Sequence, residues 1–196
     1  MNEEFNKKNA HCSYCGTRFT EQILWPRKCF RCYNDSWSNP LPVVVVMQTA
    51  VRWRATGGRT KAQYGVVIQQ RNIEPKKGMW ALTGGYIDAG ETWQEAAVRE
   101  VREEMNLEIK GSDLELYGIE SSTNKDTMLV CCVQRPPHEY DWEGGDDPGL
   151  QDYFRNTKQF PNSEVQAVDV MWEPQELAFP AHNGWANKYL EELKKL

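Results

Sequence analysis

Glu100, Glu103 and Glu104 stand at positions i, i+3 and i+4 of a run, residues 92–105, that is dominated by good helix formers and contains neither Gly nor Pro. The three carboxylates therefore share one helix face. Like charges packed together repel, and a plain solvated helix has no need of them. A hard divalent cation with oxygen ligands resolves the repulsion. Ala97, Val98, Val101 and Met105 form an adjoining apolar arc, which sets the carboxylates at the margin of a buried face, where a cleft can form. Gly84-Gly85, just upstream, lets the backbone approach a phosphate or a metal with no β-carbon in the way. Glu91 and Arg99 are eight residues apart and can pair, pinning the preceding loop onto the helix.

A second metal-directed pattern lies near the N-terminus. Cys12-Ser-Tyr-Cys15 and Cys29-Phe-Arg-Cys32 are two C-x-x-C pairs separated by 13 residues, a spacing that can converge four thiolates on one tetrahedral Zn²⁺. A segment of about 40 residues buries too little apolar surface to fold unaided, so a structural metal supplies what the missing core does not. Four cysteines complete the shell and leave His11 a bystander. The closed site is structural, without an open position for catalysis. Cys131 and Cys132 fall in an apolar, strand-like stretch and read as core residues.

The elements that must position these groups follow from composition and periodicity. Asn39-Pro40 and Pro42 precede the β-branched run 43–47, which reads as a strand leaving the cysteine-rich segment. The domain boundary is placed there, giving 1–39 and 40–196. Gly57-Gly58 suits a hairpin between a strand ending near Trp53 and one covering 64–70. Residues beyond that strand through Pro75 and Gly78 read as a polar turn. Thr92 and Glu95 have capping-box spacing at the start of the helix. Residues 114–121 and 127–133 read as antiparallel strands, 165–172 as a further strand and 184–196 as a closing helix. The order is α+β with a mixed sheet. Residues 134–162 show no clear period and make an unusually long connection.

Read from Gly85, the segment runs Gly, five residues, Glu91, seven residues, then Arg99-Glu100-Val101-Arg102-Glu103-Glu104-Met105-Asn106-Leu107. It resembles the Nudix box, G-x5-E-x7-R-E-U-x-E-E-x-G-U, at every fixed position except the last glycine, which is Asn106 here. Asn tolerates the left-handed helix C-cap nearly as well as Gly, so the fold is expected to survive the exchange. The resemblance implies an α/β/α sandwich with a mixed sheet, preceded by a small zinc ribbon. The ribbon and Asn39-Pro40 place the chain beside Nudix proteins similar to ADP-ribose and NADH pyrophosphatases. The S-Q-P-W-P-F-P-x-S signature of NADH specificity is replaced by Ser121-Ser122-Thr123-Asn124.

The resemblance further implies that Glu100, Glu103 and Glu104 hold Mg²⁺ or Mn²⁺ and that Arg99 and Glu91 orient them. Glu164, just before a late strand, is the candidate base or additional ligand. Gly84, Gly85, Arg71 and Trp142 are candidate substrate contacts, with Tyr153 and Phe154 as further aromatics in the long connection. The implied activity is hydrolysis of the diphosphate bond in a nucleoside diphosphate derivative, ADP-ribose or a similar nucleotide sugar being favoured. Two alternatives stand beside it. In one, an NAD cap or RNA 5′ end is processed, the transcript being held by Arg27, Lys28 and Arg31; in the other, the pocket senses a nucleotide without cleaving it.

Apolar residues make up 40% of the chain and charged residues 26%, which suits a globular core and argues against a disordered chain. No uninterrupted apolar run, 43–47 included, comes near the roughly 20 residues of a membrane span, so a cytoplasmic protein without membrane contact is expected. A net charge of −5 disfavours a broad nucleic-acid surface. Arg52, Arg54, Arg59 and Lys61 read as a solvated hairpin edge. A homodimer through the hairpin around Trp53 is a further expectation.

Overall fold

The structure is a computed structural model in which residues 9–20, 24–56, 59–135 and 161–196 are described, with the side chains of 53–56 and 59–60 excepted. Two compact units result, Met1–Pro40 and Leu41–Leu196.

In the first unit, two similar hairpins each carry a Cys pair. His11 bridges Arg18 across one, and β1 (Arg27–Lys28) pairs antiparallel with β2 (Asp35–Ser36) across the other. Each pair closes the same way. The Gly16 amide donates to the Cys12 carbonyl at 3.0 Å and the Tyr33 amide to the Cys29 carbonyl at 2.9 Å. Gly16 and Tyr33 both have positive φ, 70° and 60°, which the tight turn after the second cysteine demands.

The second unit is built on a seven-stranded mixed sheet. β3 (Leu41–Thr56) and β4 (Arg59–Arg71) form a long hairpin with Thr56 opposite Arg59. β5 (Trp80–Ala81) pairs with β4, and β6 (Thr83–Tyr86) pairs with the first half of β3. β7 (Leu114–Ser121) and β8 (Thr127–Gln134) are antiparallel, β8 runs parallel to β3, and β9 (Val165–Met171) lies on β4. The core order is β5-β4-β3-β8-β7.

The uninterrupted apolar run in β3 is explained by burial on both faces. Val44 and Val46 pack with Ala96, Ala97 and Val101 of helix α1 (Trp93–Met105), whereas Val45 and Met47 pack with Trp185, Tyr189 and Leu190 of helix α2 (Pro180–Leu193). The adjacent Cys131 and Cys132 divide between these two cores. The expected sandwich is thus formed, with a helix on each face of the sheet. α2 starts at Pro180, four residues before the expected start, because Pro at the first helical position lacks only an amide hydrogen that would be unsatisfied anyway. β5 and β6 were not expected; they are too short for a strand period to register. No helix among the described residues is long and apolar enough to cross a membrane.

Candidate active site and metal centre

Helix α1 begins as its sequence dictates. The Thr92 side chain accepts from the Glu95 amide while the Glu95 side chain accepts from the Thr92 amide. It ends at Asn106, which adopts φ 53° and ψ 33° and donates its amide to the Arg102 carbonyl at 2.9 Å. The residue in the box's glycine position therefore performs the glycine's conformational task.

Between these ends Arg99 organises the acidic face. Its Nε donates to Glu91 Oε1 at 2.9 Å, Nη2 to Glu91 Oε2 at 3.1 Å and to the Tyr86 carbonyl at 2.9 Å, and Nη1 to Glu100 Oε1 at 2.7 Å and Glu103 Oε2 at 3.2 Å. The paired Arg99 guanidinium and the Asp88 amide hold Glu91 below the usual carboxylate range. One side chain thus ties the upstream loop, the end of β6 and two carboxylates together, and its planar fork makes that geometry rigid.

Glu100 and Glu104 are buried, whereas Glu103 is exposed. Burial pushes the Glu100 carboxyl up, against the attraction of Arg99, and Glu103 and Glu164 add to the rise. Burial drives Glu104 up to about 8; hydrogen bonds from Gln69 and Gly84 oppose the rise, and the charges of Glu100 and Glu164 reinforce it. Glu164 therefore lies close enough to both buried carboxylates to act on them electrostatically. Its loop is tied to α1 by Asn162, whose Nδ2 donates to the Glu104 carbonyl at 3.3 Å while its Oδ1 accepts from the Glu164 amide at 2.9 Å.

Gln69 Nε2 and the Gly84 amide both donate to Glu104 Oε2, at 2.8 and 3.1 Å. Gln69 Oε1 is buried and has no partner among the described residues. A β-carbon at Gly85 would lie 2.3 Å from Glu100 Oε1, so the absence of a side chain is what lets the strand pass the carboxylate.

These residues fit a divalent cation on two grounds. The donors are hard oxygens, and among the described residues the two buried carboxylates, with a third charge beside them, are faced by no cation other than Arg99. The helix carboxylates converge less closely than the thiols: Cys12, Cys15, Cys29 and Cys32 are the one group among the described residues whose candidate ligand atoms all lie within 4.8 Å of one another. Cys12 Sγ and Cys32 Sγ are 3.6 Å apart, as are Cys15 Sγ and Cys29 Sγ. A tetrahedron with metal–sulfur bonds of about 2.3 Å places its sulfurs about 3.8 Å apart, so the thiols are nearly in ligating position. Burial pushes the Cys12 thiol up, but the Cys15 and Tyr14 amides and the Ser36 hydroxyl more than offset this and bring it down to about 6. Hydrogen bonds from Thr17 likewise lower Cys15, whereas at Cys32 a backbone hydrogen bond from Asn34 is outweighed by burial and the three neighbouring sulfurs, which push the thiol up to about 11; a bound cation relieves this mutual crowding.

On the other side of β6 a cavity of about 600 Å³ is lined by Arg71, Gly84, Gly85, Tyr86, Phe179 and His182, among others. Arg71 and the two glycines of the sequence reading come together here. Trp142, Tyr153, Phe154 and the acidic run 139–147 lie outside the described residues, as does the side chain of Trp53. Gln69, Asn162, Tyr86, Phe179 and His182 were not singled out from the sequence. Gln69 alone left a trace, a polar residue on a strand position that alternates with buried Ile68.

Residues 48–193 match the family model described as NUDIX domain. The chain belongs to the Nudix family. Over 108 residues, 55% of this chain and 37% of the relative, it is 26% identical to an NAD-capped RNA hydrolase NudC of Photorhabdus laumondii. Over 72 residues, 37% of this chain and 41% of the relative, it is 38% identical to an ADP-ribose pyrophosphatase of Methanocaldococcus jannaschii. The chain thus spans well under half the length of these curated relatives. Among solved structures, a NUDIX hydrolase from Nitrosomonas europaea superposes with a TM-score of 0.56 at 21% identity, covering 93% of this chain and 90% of that one. The NUDIX domain of Shewanella oneidensis NrtR, complexed with ADP ribose, gives 0.51 at 16% identity, covering 81% and 89%. These two likenesses concern the fold.

Proposed function

We propose that this Nudix protein is a metal-dependent pyrophosphohydrolase that cleaves the diphosphate bond of a nucleoside diphosphate derivative, ADP-ribose or a similar nucleotide sugar being favoured. The observation that carries the reading is the Arg99-ordered carboxylate set beside a cavity of nucleoside size, with Gly84 and Gly85 between them. Glu100, Glu103 and Glu104 would hold Mg²⁺ or Mn²⁺, with the Gly84 carbonyl as a further donor. When bound, such a cation neutralises charge developing on phosphoryl oxygens and lowers the pKa of an attendant water. Arg99 keeps Glu100 and Glu103 in place, Gln69 and the Gly84 amide fix Glu104 Oε2, and the Glu164 carboxylate takes the proton of the attacking water. The four N-terminal cysteines would hold Zn²⁺ as a structural ion.

Phosphate-coupled turnover of ADP-ribose, ADP-sugars, NAD, NADH, dinucleoside polyphosphates and nucleoside triphosphates, with Mg²⁺ or Mn²⁺, tests this. Cleavage of one class that Glu103→Gln abolishes and Glu164→Gln slows supports it; turnover unchanged in Glu164→Gln removes that residue from the mechanism. A second reading, hydrolysis of NAD-capped RNA, is favoured by the named activity of the NudC relatives and by exposed Tyr14, Phe30 and Arg31 at the tips of the Cys pairs. It requires RNA binding that weakens steeply with salt. A purely sensory role is opposed by the complete acidic set.

A further inference from the structure

The cavity carries its polar groups in two separate sets. From Arg71 and the start of α2 come donors. Arg71 spends Nε on the Pro75 carbonyl at 2.8 Å, and its guanidinium lies 5.1 Å above the Phe179 ring. Its two terminal nitrogens have no partner among the described residues. The Phe179 ring meets that of His182 edge-on at 5.0 Å, so one aromatic ring supports both neighbours. His182 Nδ1 accepts from the Leu82 amide at 3.2 Å, which fixes the tautomer and leaves Nε2–H as the donor of a buried ring that lines the cavity. Burial, and then the charge of Arg71, hold this imidazole neutral, down to about 3. From the end of β7 and the turn that follows it come acceptors, Glu120 and Asp126, with Ser122 bonded to Asp126 at 2.8 Å.

The formal charges of these lining groups are one cation against two carboxylates, with the histidine contributing none. A phosphate entering this cavity meets a net negative wall, whereas an uncharged ring with carbonyl or ring-nitrogen acceptors meets two aimed donors. Tyr86, 56% exposed and also lining the cavity, offers such a ring an aromatic face. We propose that Arg71 and His182, braced by Phe179, form the wall that reads the acceptor edge of an uncharged nucleobase, and that the cavity rejects groups bearing a second phosphate. This rests on the pyrophosphohydrolase reading for the location of the diphosphate, and it names the class of group attached there.

Calorimetric titration of the full chain with AMP, ribose 5-phosphate and adenosine 3′,5′-bisphosphate tests it without any turnover. Arg71→Ala should weaken AMP by about tenfold or more, the loss of a charge-assisted hydrogen bond, and leave ribose 5-phosphate unchanged. The bisphosphate should bind the unsubstituted protein more weakly than AMP does. Should Arg71→Ala destabilise the chain, Phe179→Leu, which removes the ring that braces both the guanidinium and His182, should give the same selective loss. Equal losses for AMP and ribose 5-phosphate, no loss for either, or tighter binding of the bisphosphate would overturn the inference. Selective AMP loss in a chain that turns over no substrate would overturn the hydrolase reading alone; turnover with unselective loss would overturn this inference alone.

Discussion

Glu104→Gln should make the metal-free protein more stable, by an amount that grows with pH. The Glu104 carboxyl titrates near 4.5 in the unfolded chain and near 8 in the folded one, burial being the principal cause. A carboxyl with a raised folded pKa contributes most below its unfolded value, and that contribution is lost as pH rises through the folded value. Relative to a neutral isostere, the burden is roughly 1 kcal/mol near pH 5, about 3 kcal/mol near pH 7 and about 5 kcal/mol near pH 9. Gln retains one acceptor oxygen for the Gln69 and Gly84 donors, so little else changes. For a domain of this size each kcal/mol moves the melting temperature by roughly 2–4 °C, which sets the expected gap near pH 7 at about 6–12 °C. The assay is thermal unfolding of both proteins in EDTA across that range, followed by circular dichroism. Millimolar Mg²⁺ should then raise the melting temperature of the unsubstituted protein and leave Glu104→Gln nearly unmoved, because only a folded state that binds the ion gains from it. A variant that melts no higher than the parent in EDTA, or a gap that does not widen with pH, would refute the argument.

Arg99→Lys should lower Mn²⁺ affinity by about 10- to 100-fold in a titration followed by electron paramagnetic resonance, since a single ammonium cannot span Glu91, Glu100, Glu103 and the Tyr86 carbonyl. Cys29→Ser should reduce bound zinc from one per chain to near none by elemental analysis, and the slow exchange of the Cys29 and Tyr33 amides should disappear with it. Asn106→Gly should leave the melting temperature nearly unchanged, whereas Asn106→Ala should cost about 1 kcal/mol, because only the first tolerates φ 53° without strain. Equal melting temperatures for the two would mean that the left-handed cap carries no cost.

What was legible in the sequence is local. The capping box, the i, i+3, i+4 carboxylates, the Glu91–Arg99 pair and the left-handed role of Asn106 all depend on residues within a few helical turns of one another. The same holds for the two Cys pairs, whose turns repeat each other atom for atom in their backbone bonds. Gln69 escaped notice because a polar residue on a strand acquires meaning only when the partner across the layer is known, and that partner, Glu104, is 35 residues away. The start of α2 was placed too late because Pro180 looks like a breaker until one sees that it occupies the first helical position.

The same contrast explains why the reacting bond is easier to read than the group attached to it. The carboxylate set belongs to one helix and one preceding loop, so a fixed spacing encodes it. The wall proposed to face the nucleobase draws Arg71 from the end of a strand, Phe179 and His182 from the start of the last helix, and Tyr86 from a four-residue strand. No spacing rule connects them, and only the β4–β3–β6 pairing brings the first and last near the two glycines. Each of the four can change without disturbing the helix that holds the carboxylates. A scaffold arranged in this way can keep its chemistry while its choice of substrate moves, and substitutions in the wall should therefore alter which nucleotide binds before they alter whether the bond is broken.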